Sequence, residues 1–308
     1  MYRYKGKEYD FMFTIFDDTD EATVRNVKPI YDLLAELNIL TTKSVWTLPI
    51  KKSNVFTGET LDDEGYLDFV LDIQDKGFEI AMHNVGSGHF VREEIKKGVE
   101  QFKDKIGQYP NIHVNHASNS DNIFWGSQRF SFPFNIVYKL VTKEQNFIGS
   151  KRSSPLYWGD IHKKYIKYTR NHTFNDINTS KNDPYMPYME KNKLFASNYW
   201  FSSTDTSNVQ KFNKAITPKS IDRLKQEGGV CILYVHFASE FALNGKLNDE
   251  FEKSLRYLAK QNGLFLNVSD TLDFILERRL NKQAEKTLSF FQKFRLDFRF
   301  FRDKYLKK

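Results

Sequence analysis

The sequence predicts an α/β fold in which parallel strands are joined by crossover helices and close, or nearly close, into a βα barrel. An open doubly wound sheet is the alternative. Two observations predict it. Short apolar or β-branched runs alternate with longer amphipathic stretches along most of the chain, in about seven such units. Polar, chemistry-bearing residues then stand at the carboxyl ends of several of those runs, where both architectures collect their sites.

Taken in order, FMFTIF (Phe11–Phe16) reads as a strand. The helix DEATVRNVKPIYDLLAEL follows, with Thr19 or Asp20 as N-cap and a kink or restart expected at Pro29. TTKSVWTL is β-branched and aromatic, hence strand, and LDDEGYLDFVLDIQDKG is helix ending at Gly77. FEIAMHN is the next strand, VREEIKKGVEQFKDKIG a helix stopped by Gly107, and NIHVNHA a strand. From Ser118 to Ser207 the pattern is less regular, and only YIKYTRNHTF and KLFASNYWFSS read as strands. Order returns with the helix TPKSIDRLKQEGG, the strand VCILYVHFA, the helix NDEFEKSLRYLAKQNG, the strand LFLNVS and the helix SDTLDFILERRL.

The 308 residues suit one large domain, and 40% hydrophobic residues suffice for its core. A single cysteine, Cys231, excludes a disulfide framework and a cysteine metal cluster. A reducing compartment fits best. The opening MYRYKGKEYDFMFTIF lacks the order of a signal peptide and no run spans a bilayer, so the cytoplasm is expected, with the periphery of the inner membrane surface included. Of the net charge of +7, residues 282–308 carry nine Lys/Arg and three Asp/Glu, or +6. The body is therefore nearly neutral, which excludes a nucleic-acid face across it.

Strand FMFTIF ends in Asp17 and Asp18. FEIAM ends in His83, with His89 on the next loop; IHV leads into Asn115 and His116; CILYV ends in His236. Each alone is read as well as a hydrogen-bonded strand-end histidine, or as acids favouring a helix N-terminus. Two carboxylates and three or four imidazoles at matching ends form a metal-site inventory, suited to a divalent ion that keeps open positions.

TIFDDTDEAT resembles the opening motif of the polysaccharide deacetylase superfamily, the metal-dependent carbohydrate esterases that include chitin deacetylases. GFEIAMHNVGSGH and ILYVHFA resemble its second and last motifs, in the right order, across about Asp10 to Leu276. The resemblance implies a distorted (β/α)7 barrel over residues 1–281, a divalent metal with zinc the expected ion, and hydrolysis of an N-acetyl or related acyl group. The substrate would be a sugar of a surface polysaccharide or its lipid- or nucleotide-linked precursor. Asp17 would be the general base, Asp18, His83 and His89 metal ligands, and His236 the general acid. Two departures mark a divergent branch. Five residues separate His83 from His89 where the family has three, leaving His116 as the substitute ligand. The Arg-Pro motif is absent, with Arg170 as the replacement arginine. A catalytically inactive, carbohydrate-binding or scaffold member is the alternative these departures raise. A haloacid-dehalogenase-type phosphatase also fits Asp18-x-Asp20, but His236 stands where its late acids belong.

Aromatic and amide residues of the middle segment are the expected sugar contacts: Trp125, Trp158 and Trp200, with Asn115, His116, Asp160, Arg170, Asn171 and Asp176. Any single one of these aromatics also reads as ordinary packing. The tail, 282–308, is expected to be a basic amphipathic helix with Leu288, Phe291, Phe294, Phe298, Phe301 and Tyr305 on one face. Such a face meets a membrane surface, a second copy of the chain, or the barrel itself.

Overall fold

The computed structural model describes residues 1–51, 56–142, 144, 146–280 and 287–306. Its strands are β1 (Tyr2–Tyr4), β2 (Lys7–Tyr9), β3 (Phe11–Asp17), β4 (Thr42–Val45), β5 (Glu79–His83), β6 (Ile112–Val114), β7 (Tyr168–Phe174), β8 (Tyr199–Asp205), β9 (Val230–Val235), β10 (Ala242–Leu243), β11 (Lys246–Leu247) and β12 (Gly263–Phe265). β3 to β9 pair in sequence order, and β9 returns to β3, closing a seven-stranded parallel barrel. The barrel expectation is met and the open sheet is not.

All seven residues of β3 are buried, as the continuous apolar run of a central parallel strand requires. One edge of β3 pairs with β9 from Met12 to Asp17. Its other edge is shared: β12 takes Phe11–Phe13, and β4 takes only Phe16 and Asp17. That shared edge is the distortion of the barrel, since β4 reaches β3 at its carboxyl end alone.

Crossover helices cover the outside, among them Val24–Glu36, Glu64–Asp75, Arg92–Ile106, Pro218–Glu227, Asp249–Ala259 and Val268–Leu280. The first does not break at Pro29. Its buried stripe, Val27, Ile30, Tyr31, Leu33 and Leu34, packs on the barrel and outweighs the roughly 3 kcal/mol that an interior proline costs. Gly107 closes Arg92–Ile106 in the left-handed conformation, φ 86°. The irregular middle contains β7 and β8 together with short helices, including Phe134–Val141 and Gly159–Tyr165. The register of β7 against β8 shifts between Arg170 and Thr173, a bulge that re-aims the side chains of β7.

The boundary expected near residue 281 lies outside the described residues. Beyond it, Phe290–Phe301 is a helix capped by Ser289 and packed against the barrel. Its inward face is Lys293, Leu296, Asp297, Phe300 and Phe301; of the apolar face expected from hydrophobicity, Phe301 is buried, Leu288 and Phe294 are half-buried, and Phe291, Phe298 and Tyr305 are exposed. The polar pair goes inward because the barrel satisfies it. Asp297 accepts from the backbone N–H and hydroxyl of Ser131 at 2.7 and 2.6 Å and stands 3.3 Å from His172 Nε2. Lys293 donates to Arg129 O and pairs with Asp297. No helix of the described residues is long and apolar enough to cross a membrane.

Farther along, Lys304 pairs with Asp205 at the end of β8, 3.0 Å away. Burial pushes the Asp205 carboxyl up, but Lys304 and Lys211 outweigh it and bring it down to about 2. A depressed carboxylate stabilises the fold above its unfolded value near 3.9, and that stabilisation is lost as pH falls toward 2. Lys304→Ala is therefore expected to cost about 1 kcal/mol at neutral pH. Urea titrations across a pH series should show the gap to wild type shrinking between about pH 4 and pH 2; a gap independent of pH would refute this account of the pair.

Candidate metal centre

The carboxyl end of β3 carries three acids with three different surroundings. Asp17, the last strand residue, is fully enclosed. Its Oδ2 lies 2.9 Å from Lys43 Nζ and accepts from Tyr31 OH at 3.1 Å, and its Oδ1 accepts from Phe237 N at 2.9 Å. Lys43, on β4, is equally enclosed. Burial alone would lower the Lys43 pKa, but the Asp17 charge more than offsets this and holds the ammonium above its ordinary value. Asp18 receives a two-pronged bond from Arg170 on β7, at 2.8 and 2.5 Å. Burial acts against the Arg170 guanidinium, and the Asp18 charge again outweighs it and raises it.

Asp20 meets the histidines. His116 Nε2 is 2.9 Å from its Oδ1, while His236 Nε2 and His83 Nε2 are 2.8 and 3.5 Å from its Oδ2. Burial opposes ionisation of Asp20, but His83, His116 and His236 together hold its carboxyl well below the usual range. His236 is raised in turn: burial lowers it, and Asp20 with Asp18 and Asp17 more than restores it.

The other ring nitrogens determine what these contacts are. His83 Nδ1 faces Val114 O at 3.2 Å, and His236 Nδ1 faces Ser207 O at 3.1 Å. His116 Nδ1 faces Asn119 Oδ1 at 2.9 Å, an oxygen that also accepts from Gly88 N. All three partners are acceptors, so each Nδ1 carries a proton and each Nε2 points at Asp20, where it either shares a second proton with the carboxylate or offers its lone pair to a cation. Lone pairs cannot face carboxylate oxygens at such distances without a proton or a cation between them. His83 Nε2, His116 Nε2 and Asp20 Oδ1 are all buried without a hydrogen-bond partner. Asp20, His83 and His116 thus offer three ligand atoms within 4.8 Å of one another. The chemistry of this donor set fits a divalent ion.

Aromatic rings dry the site. Trp46, at the end of β4, lies parallel to the His83 ring at 6.3 Å and edge-on to His116 at 5.5 Å; Phe56 is edge-on to His116 at 4.7 Å. Behind the histidines, Asn84 adopts φ 47°, a region asparagine tolerates better than most residues. Its Oδ1 accepts from His116 N at 3.0 Å and its amide donates to Asp121 at 2.7 Å.

Comparison with known proteins follows from this geometry. No protein-family model matches the chain, and no curated protein matches it. Solved structures do. The chain is similar in fold to polysaccharide and peptidoglycan deacetylases. One, provisionally assigned as a polysaccharide deacetylase of Mycobacterium smegmatis, is 11% identical over 91% of this chain and 94% of its own, with a TM-score of 0.49. Peptidoglycan deacetylase PdaC of Bacillus subtilis is 10% identical over 89% and 95%, with a TM-score of 0.42. The catalytic domain of a peptidoglycan N-acetylglucosamine deacetylase of Eubacterium rectale is 14% identical over 85% and 90%, with a TM-score of 0.38.

The residues expected at the site distribute unevenly. His83, His116 and His236 converge, with Asp18 and its partner Arg170 beside them. Asp17 does not face the cluster, because Lys43, Tyr31 and Phe237 take up both its oxygens. His89 is exposed and its Nδ1 accepts from Ser120 N at 3.0 Å. The expected sugar contacts are mostly engaged elsewhere. Trp158 and Trp200 are packed in the core. Asp160 pairs with Arg92 at 2.6 Å, and Asp176 with Arg223 at 3.0 Å. Asn115 ties both ends of its amide to the backbone of Ile123, and Asn171 donates to Tyr188 OH. Trp125 is half-buried, under the Arg129 guanidinium at 4.3 Å.

Asp20 is the residue that sequence reasoning used as a helix cap. The helix begins later, at Val24, with Thr23 as its cap, so Asp20 is free to turn inward. The signal was its position two residues beyond Asp18. Lys43→Met leaves the Asp17 carboxylate buried with no counter-charge and is expected to cost about 3–5 kcal/mol. Equilibrium urea denaturation measures this, and a loss below 1 kcal/mol would mean the pair contributes little.

Proposed function

We propose that the protein is a metal-dependent hydrolase that removes an N-acetyl or related acyl group from a sugar of a surface polysaccharide or its precursor. The observation that carries the metal site is the convergence of three Nε2 atoms on the Asp20 carboxylate, two of them from buried histidines. The sugar class rests on the motif resemblance. Asp20, His83 and His116 would hold the ion, with zinc the expected one. When bound, a divalent ion polarises a carbonyl and lowers the pKa of water.

The remaining roles follow from what each side chain can reach. Asp18 is the general base: its carboxylate lies beside Asp20 and is held by the Arg170 fork, so it can take a proton from the attacking water. Asp17 is not among the groups gathered at Asp20, so it does not take that proton. It positions instead, because its bond to Phe237 N fixes the turn that carries His236. His236 is the most accessible of the three histidines, 19% exposed, which suits a general acid that protonates the leaving amine. Asn84 holds the His116 backbone in register.

Elemental analysis of purified protein tests the metal assignment. Near-stoichiometric metal in wild type should be lost in Asp20→Asn, His83→Ala and His116→Ala, and kept in His89→Ala and Asp17→Asn. Asn119→Ala, which removes the acceptor at His116 Nδ1, should weaken the metal by about 10- to 100-fold. Asp18→Asn should keep the metal and lose acetate release from N-acetylated saccharides by at least about 100-fold. Wild type that takes up no divalent ion on reconstitution would sink the hydrolase and favour the inactive, saccharide-binding reading. The packing away of Trp158, Trp200, Asp160 and Asp176 leaves few of the expected sugar contacts for that second reading.

A further inference from the structure

Two helices share a surface that the hydrolytic site does not use. Phe134–Val141 has no buried residue, and Leu140 on it is 80% exposed. It lies beside the tail helix, with the Phe134 ring 5.0 Å from Phe294 and 5.1 Å from Phe301, tilted against both. On the tail, Phe291, Arg295, Phe298, Arg302 and Tyr305 recur every three or four residues and are all exposed. They form one outward stripe in which aromatic and cationic side chains alternate. Phe132 precedes the short helix, 68% exposed, and Leu306, the last described residue of the tail, is 71% exposed. Most of the large apolar side chains exposed on the described residues therefore gather on these two segments, a concentration that marks an interaction surface.

Charge identifies what it meets. The acids on the described residues of the tail, Asp297 and Asp303, are buried and bound to Ser131 and Asn175. Phe134–Val141 contains no acid and one exposed cation, Lys139. No ion pair among the described residues involves Lys139, Arg295 or Arg302. The outward charges on both helices are thus all positive, among protruding rather than recessed apolar side chains. A second copy of the same face would repel it. A surface with dispersed negative charge over an apolar interior complements it.

We infer that these two helices form a docking surface for an anionic lipid bilayer, with Leu140, Phe291 and Leu306 entering the interface and Lys139, Arg295 and Arg302 meeting lipid headgroups. The segments are anchored through Ser131, His172 and Asn175, at and beyond the carboxyl ends of β6 and β7. The lipid contact does not depend on the hydrolase reading.

Flotation of the full chain with phosphatidylcholine vesicles, with and without phosphatidylglycerol, tests it. Wild type should partition onto the anionic vesicles at least about tenfold better than onto the neutral ones. The double variant Arg295→Ala/Arg302→Ala should bind about 30-fold more weakly, at roughly fivefold for each cation. Leu140→Ser/Phe291→Ser should also lose binding by about tenfold or more. All four side chains are exposed, so thermal melts should match wild type. Asp20→Asn should bind vesicles normally whatever its metal content. Absence of wild-type binding to anionic vesicles, or equal binding by both double variants, overturns the proposal. So does a wild-type dimer in light scattering that Leu140→Ser/Phe291→Ser dissociates, since the patch would then be a self-association face.

Discussion

The ion pair of Asp17 and Lys43 is the constraint around which the end of the barrel that carries the candidate site is built. Both groups are sealed from solvent, at the one place where β3 and β4 share a register. A charge there is tolerable only with its counter-charge and its hydrogen bonds complete. Asp17 completes them by holding Phe237 N, so the turn after β9 is tied to the end of β3. His236 sits on that turn, and Asp18 and Asp20 follow directly on β3. Three groups of the candidate site thus inherit their positions from one buried pair that does not itself face the site.

The barrel was legible in the sequence because its signals are strong and local. Continuous apolar runs such as FMFTIF, the helix stopped by Gly107, and the helical segment TPKSIDRLKQEGG each point one way, and the structure agrees with them. The set of strand ends was legible for the same reason, and His83, His116 and His236 do converge. What could not be read was the division of labour among Asp17, Asp18 and Asp20. Three acids within four residues are equivalent on a sequence pattern. Their fates are decided by long-range partners: Lys43 from β4, Arg170 from β7 and the histidines from β5, β6 and β9. Arg170 was readable as a replacement arginine, yet the acid it would select was not.

The sugar contacts failed to emerge for a different reason. In the middle segment Trp, Tyr and Asn are abundant, and a barrel wall needs large buried rings as much as a saccharide site does. Trp158 fills the space beside His113 and spends its indole N–H on Asp121 O. Trp200 lies between Phe124 and Lys193 in the core. Composition cannot tell these uses apart, because the stacking surface that would hold a pyranose also satisfies a neighbouring side chain.

The tail reverses the usual inference from amphipathicity. Hydrophobicity alone would bury Phe291 and Phe298, yet the helix buries Lys293 and Asp297 and leaves those rings in solvent. The barrel supplies Ser131, His172 and the Arg129 carbonyl to a carboxylate and an ammonium that complete one another. Those polar contacts set the helix's rotation, with Leu296 and Phe300 filling the space around them. Exposing two phenylalanines costs the folded chain several kcal/mol of burial it could have had. A rotation set by polar satisfaction therefore leaves the apolar and cationic stripe outward together, and the acids that would have neutralised it are the same groups that pin the helix down.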